Sequence, residues 1–233
     1  MSAYGAIATP ERTVQLVPRT YPLAAQGEAL TCFPVRRDSV PAPLVDYLAS
    51  VFNDVVEEGR TYPQKDKLSL DEFYAYFFAA DCFVAIRDVP PTSLTADGLD
   101  READYSIDKT IAGREWKDAV LGMYYIKPNY PGRSSHNCNA GFVVPSHHRN
   151  LRIGSTLGRS YLHFAPLVGY KGSVFNLVYI NNVASVRIWD ALGFQRAGLI
   201  PNAGLLKKKD GDGEEYVDAI VFHYDFTKKD AAK

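Results

Sequence analysis

Residues 182–194 place the strongest constraint on the fold of this chain. They follow residues 174–180, a continuous apolar run of the kind that forms a central buried strand. The segment itself predicts the end of that strand, a short amphipathic helix over residues 184–192, and a stop at Gly193. The centre of the chain therefore combines buried strands with the helices that cover them.

An earlier segment, residues 145–157, predicts a strand end, a tight turn and the start of a helix. The first N–H groups of a helix have no partner within it, and the helix dipole also favours an anion there. Gly154 allows the backbone to approach a ligand closely, and Arg149 and Arg152 add positive charge. The segment predicts a socket for a phosphate group, although such a turn can also be an ordinary helix entry.

The remaining elements predict the order β, α, α, β, β, β, α, β, α, β, β. Residues 44–56 have a helical apolar period that Gly59 stops, and Ser69 to Glu72 form a capping box for a second helix. A first strand over residues 30–35 contains Pro34, which favours an edge or bulge position. The order indicates an α/β (mixed α+β) fold, a mixed sheet with helices on both faces.

The length of 233 residues predicts one domain, residues 30–227. Residues 1–29 are expected to be an arm that frays or adds a strand, with weak similarity to an organellar presequence. Residues 88–118 lack periodicity and predict a surface insertion between two hairpin strands. Residues 228–233 are left as a C-terminal tail.

Composition excludes several classes of protein. A net charge of −1 gives no long-range attraction to nucleic acid or to an anionic membrane, and no apolar run is long enough to span a bilayer.

The three cysteines, Cys32, Cys82 and Cys138, are odd in number and far apart. They predict small buried side chains in a reducing compartment, without disulfides or structural zinc. We expect a cytoplasmic protein, with the mitochondrion as the alternative. The adjacent His147 and His148 are expected to line the phosphate turn and make a poor metal site.

The two segments together resemble the acetyl-coenzyme A site of the GNAT N-acetyltransferase superfamily. The superfamily turn follows the pattern Gln/Arg-x-x-Gly-x-Gly/Ala, and residues 149–154 match it with Arg152 in place of the first Gly. The side chain of Arg152 must then point away from the phosphate. The resemblance implies acetyl-CoA as acetyl donor, no metal, and a central sheet whose splayed strands receive the pantetheine arm.

The resemblance assigns coenzyme contacts to a strand end, the turn and the two helix starts. These residues are Phe142, Val143, Val144, Arg149, Asn150, Leu151, Arg152, Ile153, Gly154, Ser155, Thr156, Asn182, Ser185 and Trp189. Trp189 stands where many members carry a Tyr acid, so it is expected to be a packing wall beside the sulfur. Asn182 can contact pantetheine, cap the following helix, or do both.

Five further segments resemble the fungal proline-analogue N-acetyltransferases, which acetylate azetidine-2-carboxylate and related cyclic imino acids. They are residues 61–64, 125–130, 135–142, 163–170 and 175–178. This resemblance implies that Asn139 and Asn176 hold the substrate at the thioester and that Asn182 serves the coenzyme, which makes these three the predicted catalytic residues. Asn176 lies in an apolar run, which favours a substrate contact over a bond to a neighbouring loop.

The predicted reaction is direct attack of a neutral ring nitrogen on the acetyl carbonyl, with backbone N–H groups of residues 142–144 as an oxyanion site. His136 is the nearest titratable group and a candidate substrate contact, with a loop role bonding the backbone as its alternative. Acids at residues 97–108 keep a polyamine, aminoglycoside or protein lysine open as acceptor. A coenzyme A-binding module without turnover is the other alternative. The resemblance also implies a homodimer that acts on a small-molecule imino acid or amine.

Overall fold

A nine-stranded mixed sheet organises the residues that the computed structural model describes, which are 9, 14–24 and 27–228. Its spatial order is β4-β1-β2-β3-β5-β6-β7-β9-β8. The strands are β1 Arg19–Pro22, β2 Ala29–Val35, β3 Asp81–Asp88, β4 Leu99–Asp100, β5 Val120–Pro128, β6 Asn137–Val143, β7 Gly172–Tyr179, β8 Gln195–Lys207 and β9 Glu214–Asp225. Residues 229–233 of the predicted tail, and residues 1–8, 10–13 and 25–26 of the predicted arm, lie outside the described residues.

Helices cover both faces of this sheet, as the sequence predicts. They are α1 Ala42–Glu58, α2 Leu70–Phe77, α3 Ile107–Ile111, α4 Trp116–Ala119, α5 Ile153–Leu167 and α6 Val183–Ala191. One buried cluster joins the sheet to α1 and α2, and a second joins its other side to α5 and α6. We call these sides the α1/α2 face and the α5/α6 face. Within the described part of the chain, no helix is long and apolar enough to cross a bilayer.

The ends of the first two helices follow local sequence signals. Gly59 ends α1 in the left-handed conformation, with φ of 64°, and its N–H bonds back to Val55 and Val56. Ser69 caps α2 through the backbone N–H of Glu72, and the Glu72 carboxylate accepts from the N–H of Ser69 in return. Both predicted helix ends are confirmed because these interactions span only a few residues.

The sheet is split between β6 and β7. These two parallel strands pair only at Asn137 with Gly172 and at Cys138 with Ser173. Beyond that point β6 continues to pair with β5 on its outer side, and β7 pairs with β9. The edge of β6 that faces β7 is therefore unpaired over residues 139–143. The predicted splayed sheet is confirmed.

Pro34 lies on a strand inside the sheet, so its predicted edge position is wrong for the strand as a whole. β1 pairs with β2 on the side away from β3, but this pairing ends at Arg19 opposite Cys32. Pro34 is therefore beyond the end of β1, and no neighbouring strand requires its missing N–H. Residues 19–22 of the predicted arm add strand β1 to the sheet, which is one of the two alternatives that the sequence gives for the arm. The sequence did not predict β4, because a strand of two residues carries almost no periodicity.

Residues 88–118 hold more structure than the predicted surface insertion. The Asp88 carboxylate accepts hydrogen bonds from Thr31 at 2.6 Å and Tyr105 at 2.6 Å, and pairs with Arg101 at 3.0 Å. Burial acts to raise the pKa of Asp88, but these bonds outweigh burial and lower it below the ordinary value. The segment also supplies β4, α3 and α4, so it closes one edge of the sheet.

Candidate active site

The turn that precedes α5 is held in an unusual backbone conformation. Asn150 and Arg152 have φ of 66° and 57°, in the left-handed region that favours glycine. For a residue with a side chain this conformation costs about 1 kcal/mol. Arg152 therefore adopts, with strain, a backbone conformation that a glycine adopts freely. Its side chain is exposed.

The N-terminus of α5 presents uncapped backbone donors. Arg152 occupies the N-cap position without any side-chain hydrogen bond, whereas Ser69 and Asn182 cap α2 and α6. The N–H groups of residues 153–155 have no intrahelical acceptor, since the first helical bond runs from Thr156 to Arg152 at 3.3 Å. Three donors and the positive end of a 15-residue helix thus meet at one point.

The side chains around this turn are less free than the sequence suggested. Arg149 Nη2 lies 2.9 Å from the Glu58 carboxylate oxygens, so its charge is paired with the end of α1. The Thr156 hydroxyl is buried and lies 3.4 Å from the carbonyl of Arg152. Arg152 is the turn cation that has no ion pair among residues 14–24 and 27–228.

His147 and His148, the two histidines predicted to line the turn, both bond to α4. Their Nε2 atoms lie 3.0 Å and 2.9 Å from the carbonyl oxygen of Lys117 on α4. The two rings thus tie the short helical turn of residues 146–148 to the neighbouring helix. Burial lowers the pKa of His148. No group of three potential metal-ligating side chains occurs in the part of the chain that the structure describes.

We call the space between the diverging parts of β6 and β7 the gap. Aromatic rings line it on the α5/α6 face. The Trp189 ring lies 4.9 Å from that of Phe142 on β6 and 4.6 Å from that of Phe175 on β7. These rings fill the space on the α5/α6 face where the strands diverge. The indole N–H donates to Ser185 Oγ at 2.9 Å. Trp189 therefore forms a wall of the gap, and its polar hydrogen is already used.

Asn182 lies between β7 and α6, immediately before α6, and caps that helix. Its Oδ1 accepts from the backbone N–H of Ser185 at 3.2 Å. The capping alternative is thus present in the structure. The amide Nδ2 of Asn182 has no hydrogen-bond acceptor among the described residues. One amide can therefore cap the helix and still donate toward the gap.

Asn176 is bonded to the loop that follows β5. Its Nδ2 donates to Asn129 Oδ1 at 2.6 Å, and its Oδ1 accepts from Asn129 Nδ2 at 3.1 Å and from Tyr130 Oη at 3.3 Å. The structure thus contains the loop bond, which is the alternative to a substrate contact for this residue. The side chain is also only half-buried, because β7 is irregular between Phe175 and Val178.

His136 is an exposed residue just before β6. Its Nδ1 lies 3.1 Å from the carbonyl of Arg133, and its Nε2 lies 3.1 Å from Nδ2 of Asn137. Both ring nitrogens are therefore engaged within the loop. This is the backbone-bonding role that the sequence left as the alternative to a substrate contact.

Asn139 and Lys127 form the most distinctive pair at the gap. They are opposite each other in the ladder between β6 and β5, so their side chains lie on the same face. The Asn139 side chain has no hydrogen bond within the described residues. Lys127 Nζ lies 4.2 Å and 4.3 Å from the ring centres of Tyr76 and Tyr125. Burial lowers the pKa of Lys127 to about 8.

Sequence reasoning did not identify Lys127 as a site residue. It belongs to residues 125–130, and its signal is a single cation at the end of the otherwise uncharged strand Val120–Pro128. That signal is weak by itself, since a lysine at a strand end is usually solvated. Its partner on α2, Tyr76, comes from about 50 residues earlier in the chain, and periodicity cannot reveal that contact.

The three cysteines offer no nucleophile. All are buried and free, as the sequence predicts. Burial raises the pKa of Cys32 and Cys138 to about 12 and that of Cys82 further still. Thiols that burial keeps neutral at these positions are poor nucleophiles.

The acids of residues 97–108 lie far from the gap. Asp100 belongs to β4 and pairs with Arg19 of β1. Asp104 pairs with Lys109 at 3.3 Å. Four strands, β1, β2, β3 and β5, separate β4 from β6 in the sheet. These carboxylates therefore do not surround an acceptor at the gap.

Comparison with known proteins finds relatives of this chain in both sequence and structure. The family model described as "Acetyltransferase (GNAT) family" matches residues 68–194. N-acetyltransferase aca1 of Schizosaccharomyces pombe is 44% identical over 191 residues, which cover 82% of this chain and 84% of that protein. Protein SPT10 of Saccharomyces cerevisiae is 31% identical over 232 residues, covering 88% of this chain but only 35% of that protein.

Solved structures share the fold at low sequence identity. A GCN5-related N-acetyltransferase from Kribbella flavida matches with a TM-score of 0.61 and 22% identity, covering 84% of this chain and 97% of that one. The acetyltransferase yncA from Salmonella typhimurium, solved with its cofactor acetyl-CoA, matches with a TM-score of 0.59 and 14% identity. The latter match covers 88% of this chain and 98% of the other.

Proposed function

The chain belongs to the GNAT family of acetyl-CoA-dependent N-acetyltransferases, and from this we propose that it acetylates the ring nitrogen of a proline-like cyclic imino acid. Azetidine-2-carboxylate and hydroxyproline are acceptors of this kind. The observation that carries the proposal is the pair of side chains on the α1/α2 face of the gap between β6 and β7. Asn139 and Lys127 line it, and no Asp or Glu bonds to either within the described residues. A polycationic acceptor would need carboxylates there.

Acetyl-CoA is proposed to bind along the gap. The backbone N–H groups of residues 153–155 would hold the diphosphate. The unpaired edge of β6 over residues 139–143 would bond the pantetheine amides as an additional strand. Asn182 and the wall formed by Trp189 would complete the site. These groups fit the coenzyme because each has a donor or surface that the protein itself leaves unused.

The proposed reaction is a direct transfer. The ring nitrogen, once it has lost its ammonium proton to solvent, attacks the thioester carbonyl carbon, so that a C–N bond forms and the C–S bond breaks. Backbone N–H groups of residues 142–144 hold the transient oxyanion, and Asn139 orients the nitrogen. The remaining nitrogen proton passes to water, and the departing thiolate takes a proton from solvent, because the Trp189 N–H is committed to Ser185.

Thiol release from acetyl-CoA tests this proposal. The purified chain is incubated with azetidine-2-carboxylate or hydroxyproline, and in parallel with spermidine, an aminoglycoside and a lysine peptide. We expect release with the cyclic imino acids at a kcat/KM at least about 100-fold above the other amines, and an N-acetyl product by mass spectrometry. Preferred turnover of a polycation would contradict the proposal. Binding of acetyl-CoA without release with any amine would indicate a coenzyme-binding module.

Two replacements of Asn182 separate its capping role from its proposed coenzyme role. Aspartate keeps the oxygen that accepts from Ser185 but removes the amide donor, whereas alanine removes both. We expect Asn182→Ala to lose about 1 kcal/mol of stability and Asn182→Asp to lose almost none. Both should raise the KM for acetyl-CoA by about tenfold, which is the cost of one hydrogen bond. Thermal unfolding and steady-state kinetics measure the two effects, and normal kinetics in Asn182→Asp would assign the residue to capping alone.

We also propose that a second copy of the chain binds along β8. This strand forms an open edge of the sheet, and its residues 195–202 are all exposed. Leu199 and Leu205 of β8 and Tyr216 of β9 are 57%, 50% and 67% exposed. An unpaired edge with apolar side chains is suited to pairing with another strand. Light scattering should give twice the chain mass of 25.9 kDa, and Leu199→Lys should return the single mass.

A further inference from the structure

Lys127 is a cation without a counter-ion. Within residues 14–24 and 27–228 its ammonium has neither a hydrogen bond nor an ion pair. It lies instead against the faces of Tyr76 and Tyr125, whose hydroxyl groups bond to each other at 3.1 Å. The Tyr125 ring is almost completely buried, so one side of the ammonium is sealed from water.

The Lys127 site therefore carries a positive charge that no anionic side chain among the described residues neutralises. A partly buried ammonium without a carboxylate is costly, which is why burial lowers its pKa to about 8. At neutral pH the group is still mostly protonated, because that value remains above the pH. Two ring faces attract the cation further. A ring face is a much weaker hydrogen-bond acceptor than a carboxylate, so the ammonium can still donate to an anionic ligand.

The position of Lys127 connects this charge to the reacting centre. Asn139 is its neighbour across the ladder, and Gly141 follows two residues later on the same face of β6. A Cβ at Gly141 would lie 2.6 Å from the Tyr62 hydroxyl and 2.7 Å from the Tyr125 ring. The aromatic groups therefore pack directly against the unpaired part of β6, and the Lys127 ammonium lies at the border of the gap.

We propose that Lys127 binds the carboxylate of the acceptor, so that the enzyme selects amines that carry an acid group close to the nitrogen. This assignment rests on the proposed function, because it takes the α1/α2 face of the gap as the acceptor side. A carboxylate on Lys127 places the neighbouring ring nitrogen toward Asn139 on the adjacent strand. Acceptors with a second cation in place of the carboxylate are repelled by the same ammonium.

To test this assignment, the charge of the acceptor and the charge of the side chain at residue 127 are each changed in one set of assays. Full-length wild type is compared with Lys127→Met, which keeps the length and apolar character of the stem, and with Lys127→Arg, which keeps the charge. Each is assayed with azetidine-2-carboxylate and with its carboxamide. We expect Lys127→Met to raise the KM for the acid about 10- to 100-fold with a much smaller change in kcat, and to leave the carboxamide unaffected. Lys127→Arg should recover part of the loss.

Two results would overturn the assignment. An equal loss of kcat with acid and carboxamide would make Lys127 a proton acceptor or a structural residue. An unchanged KM for the acid in Lys127→Met would remove any role in binding. Should Lys127→Met fail to fold, protection of Lys127 from chemical labelling by the acid but not by the carboxamide, measured on the wild type, still decides whether Lys127 binds the carboxylate.

A labelling measurement separates failure of this assignment from failure of the proposed function. Fluorodinitrobenzene reacts with neutral amines, and mass spectrometry follows its rate at Lys127 in wild type saturated with coenzyme A. Azetidine-2-carboxylate and proline should slow labelling of Lys127 several-fold, and their carboxamides should not. Protection without turnover would overturn the proposed function and retain the carboxylate site. No protection by either acid would overturn the site even in an active acetyltransferase.

Discussion

Replacing Gly154 with aspartate is expected to weaken acetyl-CoA binding strongly while stabilising the fold. Gly154 is the second residue of α5, where a carboxylate interacts favourably with the helix dipole by about 0.5–1 kcal/mol. The same carboxylate would bond the free N–H groups of residues 153–155 and exclude a diphosphate. We expect the KM for acetyl-CoA to rise by at least about 100-fold, or about 2.7 kcal/mol. Calorimetry with acetyl-CoA and thermal unfolding measure the two effects.

The matched control is Gly154→Asn, which has the shape of aspartate without its charge. A Cβ at this position contacts only Ile188 Cδ1, at 3.1 Å, so a small shift of one side-chain end accommodates either residue. Gly154→Asn should bind acetyl-CoA at least about tenfold more tightly than Gly154→Asp, because the diphosphate is repelled by charge and not by bulk. Equal losses in both variants would show that close approach, and not electrostatics, decides binding at this turn.

Elements fixed by neighbouring residues were predictable from the sequence. The capping box at Ser69, the stop at Gly59 and the start of α5 depend on interactions over one or two turns of helix. The splayed strands were predictable for a different reason. They followed from a family resemblance, and their physical cause, the rings of Phe142, Phe175 and Trp189, becomes visible only in three dimensions.

Interactions between distant segments were not predictable. Arg149 was assigned to a phosphate from its place in the turn, but Glu58 lies 91 positions earlier and pairs with it. In the sequence, Asn176 is an amide in an apolar run without an evident partner. The fold brings the loop residue Asn129, 47 positions earlier, beside it. Composition gives no information on either partner. The sequence identifies both Arg149 and Asn176 as polar residues of a candidate site. Their partners come close to them only in the tertiary fold.

Asn139→Ala is expected to reduce kcat/KM for a cyclic imino acid by about 100-fold, the effect of deleting one well-placed hydrogen-bonding group at a reacting centre. The Asn139 side chain has no hydrogen bond within the described residues, so its removal leaves no partner unsatisfied. Stability should therefore change by no more than about 0.5 kcal/mol. Steady-state kinetics and urea unfolding of the same preparation distinguish a loss of function from a loss of folding. A destabilised variant with normal kcat/KM would make Asn139 a structural residue.

Asn139→Asp links this prediction to the ammonium of Lys127. Residues opposite each other in an antiparallel ladder have Cβ atoms about 5 Å apart, so the new carboxylate would reach Lys127 across the β5–β6 ladder. The resulting ion pair should raise stability by about 1 kcal/mol, because it provides the anion that this partly buried cation lacks. It should also raise the KM for an acid acceptor, since the acceptor carboxylate must then displace an internal one. In the Lys127→Met background the stabilising effect should vanish. Stabilisation that survives there would show that the two side chains do not interact, and that the gap holds its acceptor by other groups.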